Sequence, residues 1–145
     1  IIVPDIFSWD EFEAHLLKYD FYKVREYRFL GEIREQTYKY KNLSVDFFFK
    51  KNMGDYSYDY FFYEKKGYRY SSPYERHVRE GKYAPITEVR KECFLGLQIT
   101  IPVNAEEYLE SVYTNNWRTP DPNWDCSNNS NVRPLEQLGI EWFRK

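Results

Sequence analysis

One short segment, Leu43–Phe49, places the strongest constraint on how this chain can fold. Its odd-numbered positions are leucine, valine and phenylalanine, whereas serine and Asp46 occupy even-numbered positions between them. Because successive side chains alternate across a strand, this pattern predicts a β-strand with one apolar face. The fifteen tyrosines and eleven phenylalanines of the chain are likewise typical of sheets. The sequence therefore predicts an aromatic core that is built from β-sheet.

Further strands are predicted from runs rich in tyrosine, phenylalanine and β-branched residues. Residues 21–30 and 33–40 flank a Gly-Glu pair, which is the pattern of a hairpin. Residues 58–64 are predicted to form a returning strand, and residues 94–101 another that ends before a proline. Residues 67–85 are charged and tyrosine-rich without regular alternation, so they are predicted to form a long irregular surface segment.

Two helices are predicted from their capping signals. Ser8 with Glu11, and Asn104 with Glu107, fit the capping box, in which the first side chain accepts from an amide three residues on and the glutamate reaches back. Apolar residues at helical spacing follow each signal, to about residue 19 in the first case and about residue 113 in the second. The opening apolar residues 1–3 are predicted to be a strand end, so the chain begins with a strand-to-helix unit.

Two large indoles, Trp117 and Trp124, follow the second helix in a segment that Pro120 and Pro122 interrupt. Proline prevents further helix there, and both rings must pack against something. They could stack on a sugar or a base, or they could fix the C-terminal segment on the core. The sequence leaves both alternatives open.

Length and charge exclude several classes of protein. A chain of 145 residues is about one domain. A net charge of −2 excludes the broad basic field that sequence-independent nucleic-acid binding requires, and no apolar run approaches the length of a membrane span. Cys93 and Cys126 are interpreted as ordinary thiols, and His15 and His77 lack the spacing of metal ligands. Because the sequence starts at Ile1 without methionine, we expect the natural N-terminus, with any targeting segment, to lie upstream.

Asp46 is the sharpest candidate for a chemical role. A carboxylate in the middle of an otherwise apolar strand costs several kcal/mol if it is buried without a partner. It could share a divalent cation with other carboxylates, because Mg²⁺ prefers oxygen ligands and leaves positions for substrate phosphates. It could instead face solvent on the open side of an antiparallel sheet. The spacing of acidic residues does not identify its partners.

Basic residues cluster on the predicted hairpin beside Asp46. Such groups could hold a pyrophosphate, because guanidinium and ammonium groups form strong hydrogen bonds with phosphate oxygens. The alternative is a solvated face on which they pair across the strands with glutamates. The basic residues are Lys23, Arg25, Arg28, Arg34, Lys39 and Lys41, and the glutamates are Glu26, Glu32 and Glu35.

Nearly the whole chain resembles the LicD family of phosphocholine and phospho-alditol transferases, which includes fukutin and fukutin-related protein. The best match is residues 101–125, with a strand ending in proline, a Tyr-Leu helix, and then Trp, Pro and Trp-Asp. The loop with Asn131-Val132 is similar to the tail of fukutin. Residues 1–4 with the following helix resemble what comes after the family's acidic DxD strand. Leu43–Phe49, with Asp46, resembles the family's hydrophobic strand that bears a later aspartate.

The resemblance implies an α+β fold with a nucleotidyltransferase-like mixed or antiparallel sheet and flanking helices. The DxD pair and its N-terminal strand would lie just before Ile1. The 145 residues are therefore expected to be a single partial domain, the larger C-terminal part of a catalytic domain, and to be inactive alone. The compartment stays open, being the cytoplasm for a bacterial protein and the Golgi lumen for a eukaryotic fukutin-like one.

The implied function is the transfer of a phospho-alcohol, such as phosphocholine or ribitol phosphate, from a CDP-linked donor to a glycan hydroxyl, using Mg²⁺ or Mn²⁺. The alternative is a non-catalytic relative that binds a glycan or a partner protein through its tryptophans and the tyrosine-rich residues 56–74. On the enzymatic interpretation, Asp46 is catalytic and a metal ligand, Arg25, Arg34 and Lys39 bind the donor phosphates, and Trp117 and Trp124 bind the acceptor.

Overall fold

The computed structural model describes residues 2–3, 8–114, 116–125 and 129–143. Strands make up 51% of the structure, and the described residues contain two α-helices, α1 (Trp9–Leu17) and α2 (Ala105–Tyr113). Cys126, which was interpreted as a thiol, and residues 1 and 4–7 around the predicted strand end lie outside the described residues. The strands are β1 (Ile2–Val3), β2 (Tyr22–Phe29), β3 (Glu32–Tyr40), β4 (Leu43–Phe49), β5 (Lys51–Met53), β6 (Tyr56–Tyr63), β7 (Glu75–Tyr83), β8 (Val89–Phe94), β9 (Leu97–Pro102) and β10 (Val132–Phe143).

The predicted nucleotidyltransferase-like α+β fold is wrong. The strands are mostly antiparallel, and α1 and α2 contain only nine residues each. Two segments for which no strand was predicted form the long strand β7 and most of β10, so the structure contains more strand than the sequence analysis predicted. No helix in the described part of the chain has the length and apolar character needed to cross a membrane.

Eight strands form one sheet, in the order β1-β4-β3-β2-β10-β7-β6-β5. β1 pairs in parallel with β4, and Ile2 lies opposite Phe48. The central strands β2, β3, β4 and β10 pair antiparallel with their neighbours in this group. β8 and β9 form a separate two-stranded sheet. The larger sheet thus places β3 between β4 and β2, which decides the surroundings of Asp46.

The chain divides into two compact units. The larger unit comprises Ile1–Lys51, Asp59–Glu80 and Pro134–Lys145, and the smaller unit comprises Asn52–Tyr58 and Gly81–Arg133. The expectation that all 145 residues form a single domain, and a partial one, stays a prediction.

The larger unit has an aromatic core because its part of the sheet curls back on itself. β2 and β6 are three strands apart in the sheet, which would separate them by about 14 Å if it were flat. The rings of Tyr27 and Phe62 nevertheless stack with centroids 4.6 Å apart, and those of Phe29 and Tyr60 lie 5.1 Å apart. The prediction of an aromatic, sheet-based core is consistent with these contacts.

Helix α1 covers one side of β3 and β4. It begins after Ser8, whose hydroxyl accepts a hydrogen bond from the amide of Glu11 at 3.4 Å. Its Phe12 ring lies edge-on to Phe47 at 4.7 Å and to the fully buried Tyr38 at 6.1 Å. This face of the sheet is therefore closed by aromatic packing, and the opposite face of β3 and β4 remains for polar side chains.

Several local predictions can be compared with these elements. Leu43–Phe49 is a strand with the bounds expected, and the hairpin turn lies at Leu30 and Gly31, both with positive φ. The prediction of an irregular segment over residues 67–85 is wrong, because β7 occupies its second half. The predicted cap at Asn104 is also wrong, because its amide donates to the carbonyl of Pro85 at 2.8 Å and makes no cap bond.

Candidate functional site

Asp46 lies directly opposite Thr37 in the β3–β4 pairing, and Thr37 lies opposite Arg25 in the β2–β3 pairing. The Thr37 hydroxyl donates to Asp46 Oδ1 at 2.6 Å, and the Arg25 Nε–H donates to the Thr37 hydroxyl at 3.3 Å. Arg25 Nη2 lies 4.0 Å from Asp46 Oδ1. The side chain of Asp46 is 42% exposed, so the aspartate has both a cation and access to solvent.

Glu35 stands beside this group on the same face of β3, two residues before Thr37. It is only 8% exposed. Burial raises the pKa of the Glu35 carboxyl to about 7, and the nearby carboxylates of Asp46, Asp59 and Glu141 add to the increase while Arg25 opposes it. Near neutral pH, Glu35 can therefore either hold or release a proton.

Glu141 on β10 extends the cluster. Its buried carboxylate lies 2.5 Å from Arg76 Nε and 3.9 Å from Arg25 Nη1. The Tyr27 hydroxyl hydrogen-bonds to the same carboxylate, and burial, assisted by Glu141, raises the pKa of Tyr27 to about 12. A continuous charged cluster thus runs from Arg76 through Glu141 and Arg25 to Asp46.

Arg76 connects this cluster to a surface pocket of about 540 Å³. Its guanidinium is held by the carbonyls of Pro73 at 2.8 Å and Glu75 at 2.7 Å, and it pairs with the exposed Glu64 at 3.2 Å. The guanidinium is consequently fixed in position before any ligand arrives. The pocket is lined by Glu64, Lys65, Lys66, Gly67, Tyr68, Tyr70, Pro73 and Arg76.

The tyrosines of the pocket are held by His77. The Tyr70 hydroxyl accepts the Lys65 amide at 2.7 Å and lies 2.8 Å from His77 Nδ1. The Tyr68 ring contacts both Tyr70 and His77, with centroids 4.9 and 4.5 Å away, yet the residue is exposed. Within the part of the chain that the structure describes, the exposed Lys65 and Lys66 have no carboxylate within ion-pair distance. The pocket thus offers two available ammonium groups and a fixed aromatic ring.

The structure brings together only some of the residues predicted to bind donor phosphates. Arg25 contacts Asp46, and the exposed Lys39 lies on the same face of β3 as Thr37. Arg34 is on the other face, only 3% exposed, with its Nη2 2.6 Å from Glu32 and its guanidinium 4.6 Å from the centre of the Tyr60 ring. Arg34 is therefore buried away from Asp46 and its neighbours.

The two tryptophans predicted to bind an acceptor lie in the smaller unit, whereas Asp46 lies in the larger one. The exposed Trp124 ring packs on Tyr113 with centroids 4.8 Å apart. Trp117 is half-buried under the guanidinium of Arg118, which lies 4.2 Å from the ring centre. Each indole contacts protein on one side, so both the packing and the stacking role remain open.

A magnesium site is not complete among the residues that the structure describes. They contain no group of three or more His, Cys, Asp or Glu side chains that could hold a metal ion. Asp46 and Glu35 supply two carboxyl groups, but a positively charged guanidinium lies beside Asp46. These residues alone do not fit a bound Mg²⁺, and Mg²⁺ or Mn²⁺ stays a prediction.

Sequence reasoning missed three members of the cluster. Glu35 was considered only as a cross-strand partner, although its position two residues from Thr37 in a predicted strand is a signal for the shared face. Arg76 fell in a segment predicted to be irregular, and no strand was predicted for the residues around Glu141. Their contacts join β7 and β10, which are distant from β4 in sequence, so no local pattern identifies them.

Comparison with models of known protein families gives no match, and comparisons with curated proteins and with solved structures give none either.

Proposed function

We propose that this chain belongs to a phosphotransferase that moves a phospho-alcohol, phosphocholine or ribitol phosphate, from a CDP-linked donor to a glycan hydroxyl. The observation that carries the proposal is the carboxyl pair of Asp46 and Glu35 beside Arg25. The resemblance of the sequence to LicD transferases supports the choice of substrates. The proposal rests on these residues and does not require a nucleotidyltransferase fold.

Glu35 is suited to act as the general base. The acceptor hydroxyl must lose its proton as its oxygen forms a bond to the donor phosphorus and the bond from phosphorus to the CMP leaving group breaks. A base is most effective when its pKa lies near the working pH, and the pKa of Glu35 is raised to about 7. The proton of the hydroxyl passes to the Glu35 carboxylate, while CMP carries away the electron pair of the broken bond.

Arg25 and Asp46 are suited to position the reactants. The Arg25 side chain is partly exposed, and a guanidinium neutralises and orients phosphate oxygens. Asp46, fixed by the Thr37 hydroxyl, holds Arg25 on one side and can accept a hydrogen bond from the acceptor on the other. The proposal thus combines a largely buried base, Glu35, with a partly exposed cation, Arg25, and a partly exposed hydrogen-bond acceptor, Asp46.

The test measures transfer from CDP-choline and CDP-ribitol by the full-length protein. Glu35→Gln removes the base with little change of shape, and the rate is expected to fall by about 10²- to 10⁴-fold. Asp46→Asn is expected to reduce the rate as well. Glu136→Gln is the control, because this glutamate lies at an exposed position on β10. Wild-type rates for both Glu35→Gln and Asp46→Asn would refute the proposal.

A second candidate, a non-catalytic glycan-binding relative, is favoured by the pocket beside Arg76. Two ammonium groups and an exposed tyrosine ring suit an acidic sugar, whose ring packs on the aromatic face while its carboxylate meets the cations. The pocket volume of about 540 Å³ lies within the range of small-molecule binding sites.

Calorimetry with an acidic and a neutral oligosaccharide tests this second candidate. Lys65→Ala/Lys66→Ala should lose binding of the acidic ligand, whereas Lys18→Ala/Lys91→Ala, which removes the same charge elsewhere, should retain it. Binding without transfer from either CDP donor would favour the second candidate, and transfer without binding would count against it.

A further inference from the structure

The hairpin formed by β8 and β9 in the smaller unit has two free edges. In the described part of the chain, the two strands pair only with each other. Its apolar side chains are exposed, with Leu95 87%, Leu97 66% and Ile99 37% accessible, and Val89 and Phe94 are exposed as well. Free strand edges and contiguous exposed apolar residues both mark interaction sites. An isolated two-stranded hairpin is only marginally stable in water, so a further strand would stabilise it.

The two edges differ in charge. β8 contains Arg90, Lys91 and Glu92, whereas β9 has the sequence Leu-Gln-Ile-Thr-Ile-Pro and no charged residue. Proteins usually protect an edge strand from pairing by placing charges on it. The β9 edge lacks this protection, and β9 is therefore the edge better suited to take another strand.

The turn fixes which residues of β9 point their backbone groups outward. Leu95 and Gly96 both have positive φ, +50° and +79°, as in a two-residue type I′ turn, so Phe94 and Leu97 form a hydrogen-bonded pair. The Val103 amide donates to the Glu88 carbonyl at 3.0 Å, in the same phase. Because hydrogen-bonding direction alternates along an antiparallel strand, Gln98 and Thr100 present their N–H and C=O groups to the free edge.

We propose that β9 pairs antiparallel with β9 of a second copy of this chain, with the two-fold axis at Ile99. Gln98 of each copy then forms a hydrogen-bonded pair with Thr100 of the other, so the outward backbone groups of these two residues are satisfied. Ile99 faces Ile99 of the second copy, and Leu97 faces Ile101. The two hairpins become one four-stranded sheet with a continuous apolar stripe.

The residues of β9 favour pairing with a second copy of the chain, and they favour this register. In this register the polar Gln98 lies opposite the polar Thr100, and the apolar residues Leu97, Ile99 and Ile101 lie opposite apolar residues. No like charges face each other. A register shifted by two residues toward the end of β9 pairs Gln98 with Pro102, which has no N–H. The opposite shift pairs Thr100 with Gly96 of the turn. Self-pairing of β8 about Glu92, the residue opposite Ile99, places Glu92 against Glu92, which opposes two carboxylates.

A charge exchange at Ile99 tests the interface by light scattering after size-exclusion chromatography. The wild-type chain should show a mass that rises with concentration toward twice 17.8 kDa. Ile99→Lys and Ile99→Glu should each stay at the monomer mass, because like charges meet at the axis. An equal mixture should recover the dimer, because an ammonium then meets a carboxylate. Val89→Lys, on β8, is the control and should dimerise as the wild type does.

Cross-linking tests the register. In a background with Cys93→Ser and Cys126→Ser, Ile99→Cys should form a disulfide dimer under mild oxidation, because facing residues in such a pair have Cα atoms about 4.5 Å apart. Thr100→Cys should not, because it faces Gln98. A wild type that is monomeric at all concentrations, a dimer unaffected by Ile99→Lys, or a mixture that stays monomeric would each overturn the proposal.

Discussion

Replacing Glu35 by glutamine removes a titratable carboxyl group whose surroundings disfavour its ionised form. Burial is the largest cause of its raised pKa, and the carboxylates of Asp46, Asp59 and Glu141 add to it. The pKa of Glu35 is about 7 in the folded chain and 4.5 for an ordinary glutamate. Each pKa unit corresponds to about 1.4 kcal/mol, so ionised Glu35 lowers the free energy of unfolding by up to roughly 3 kcal/mol.

The direction of the pH dependence follows from proton binding. Between pH 4.5 and 7 the folded chain holds a proton on Glu35 that the unfolded chain has lost, so stability due to this group falls as pH rises. Below pH 4.5 Glu35 is protonated in both states, and above pH 7 the full cost is present. Glu35→Gln should therefore be more stable relative to wild type at pH 8 than at pH 4, by up to roughly 3 kcal/mol.

Urea unfolding followed by tryptophan fluorescence, repeated from pH 4 to pH 8, measures this difference. Titrating groups that do not interact with Glu35 behave alike in both proteins and cancel in the comparison. Glu136→Gln, at an exposed position on β10, is the control and should track the wild type at every pH. A difference between Glu35→Gln and wild type that stays constant over the whole pH range would refute the assignment of Glu35 as a buried carboxyl with a raised pKa.

Two further predictions concern buried polar contacts of the larger unit. Lys50 Nζ lies 2.8 Å from Asp59 Oδ2, and both side chains are buried. Lys50→Met should therefore lower the free energy of unfolding by about 3–5 kcal/mol, and Lys50→Met/Asp59→Asn should recover part of this loss. A double variant as unstable as the single one would contradict this prediction. The Tyr38 hydroxyl donates to Gln36 Oε1 at 2.6 Å, so Tyr38→Phe should cost about 1–3 kcal/mol by urea unfolding, whereas Tyr22→Phe, at an exposed position, should be nearly neutral. Equal stabilities of the two phenylalanine variants would argue against the Tyr38 bond.

The local sequence pattern was sufficient to predict a strand where one face of the segment is apolar. Leu43–Phe49 was predicted with its observed bounds, because alternation within a strand depends on neighbouring residues alone. β7 was missed for the opposite reason. Its Arg76, His77 and Glu80 are buried although they are polar, because partners outside β7 satisfy them. A charged strand of this kind is indistinguishable from a surface loop until those partners are known.

The candidate site also has a part that the sequence identified and a part that it did not. Asp46 was identified because a carboxylate interrupts an apolar run, which is visible in the sequence. The residues around Asp46 were not identified from the sequence, because they depend on the register that puts Thr37 opposite Asp46 and Arg25 opposite Thr37. Arg34 was grouped with Arg25 from composition, yet the alternation of β3 sends it to the other face.

The sequence by itself determined that this chain builds sheet with an aromatic core, that it contains two short helices, and that Asp46 lies in mid-strand. These properties follow from residue type and from periodicities of a few residues. The tertiary structure decided the sheet order, the curling that stacks Tyr27 on Phe62, and the burial that raises the pKa of Glu35 to about 7. These depend on which distant strands become neighbours, and desolvation and charge proximity acquire their magnitudes only after that pairing has formed.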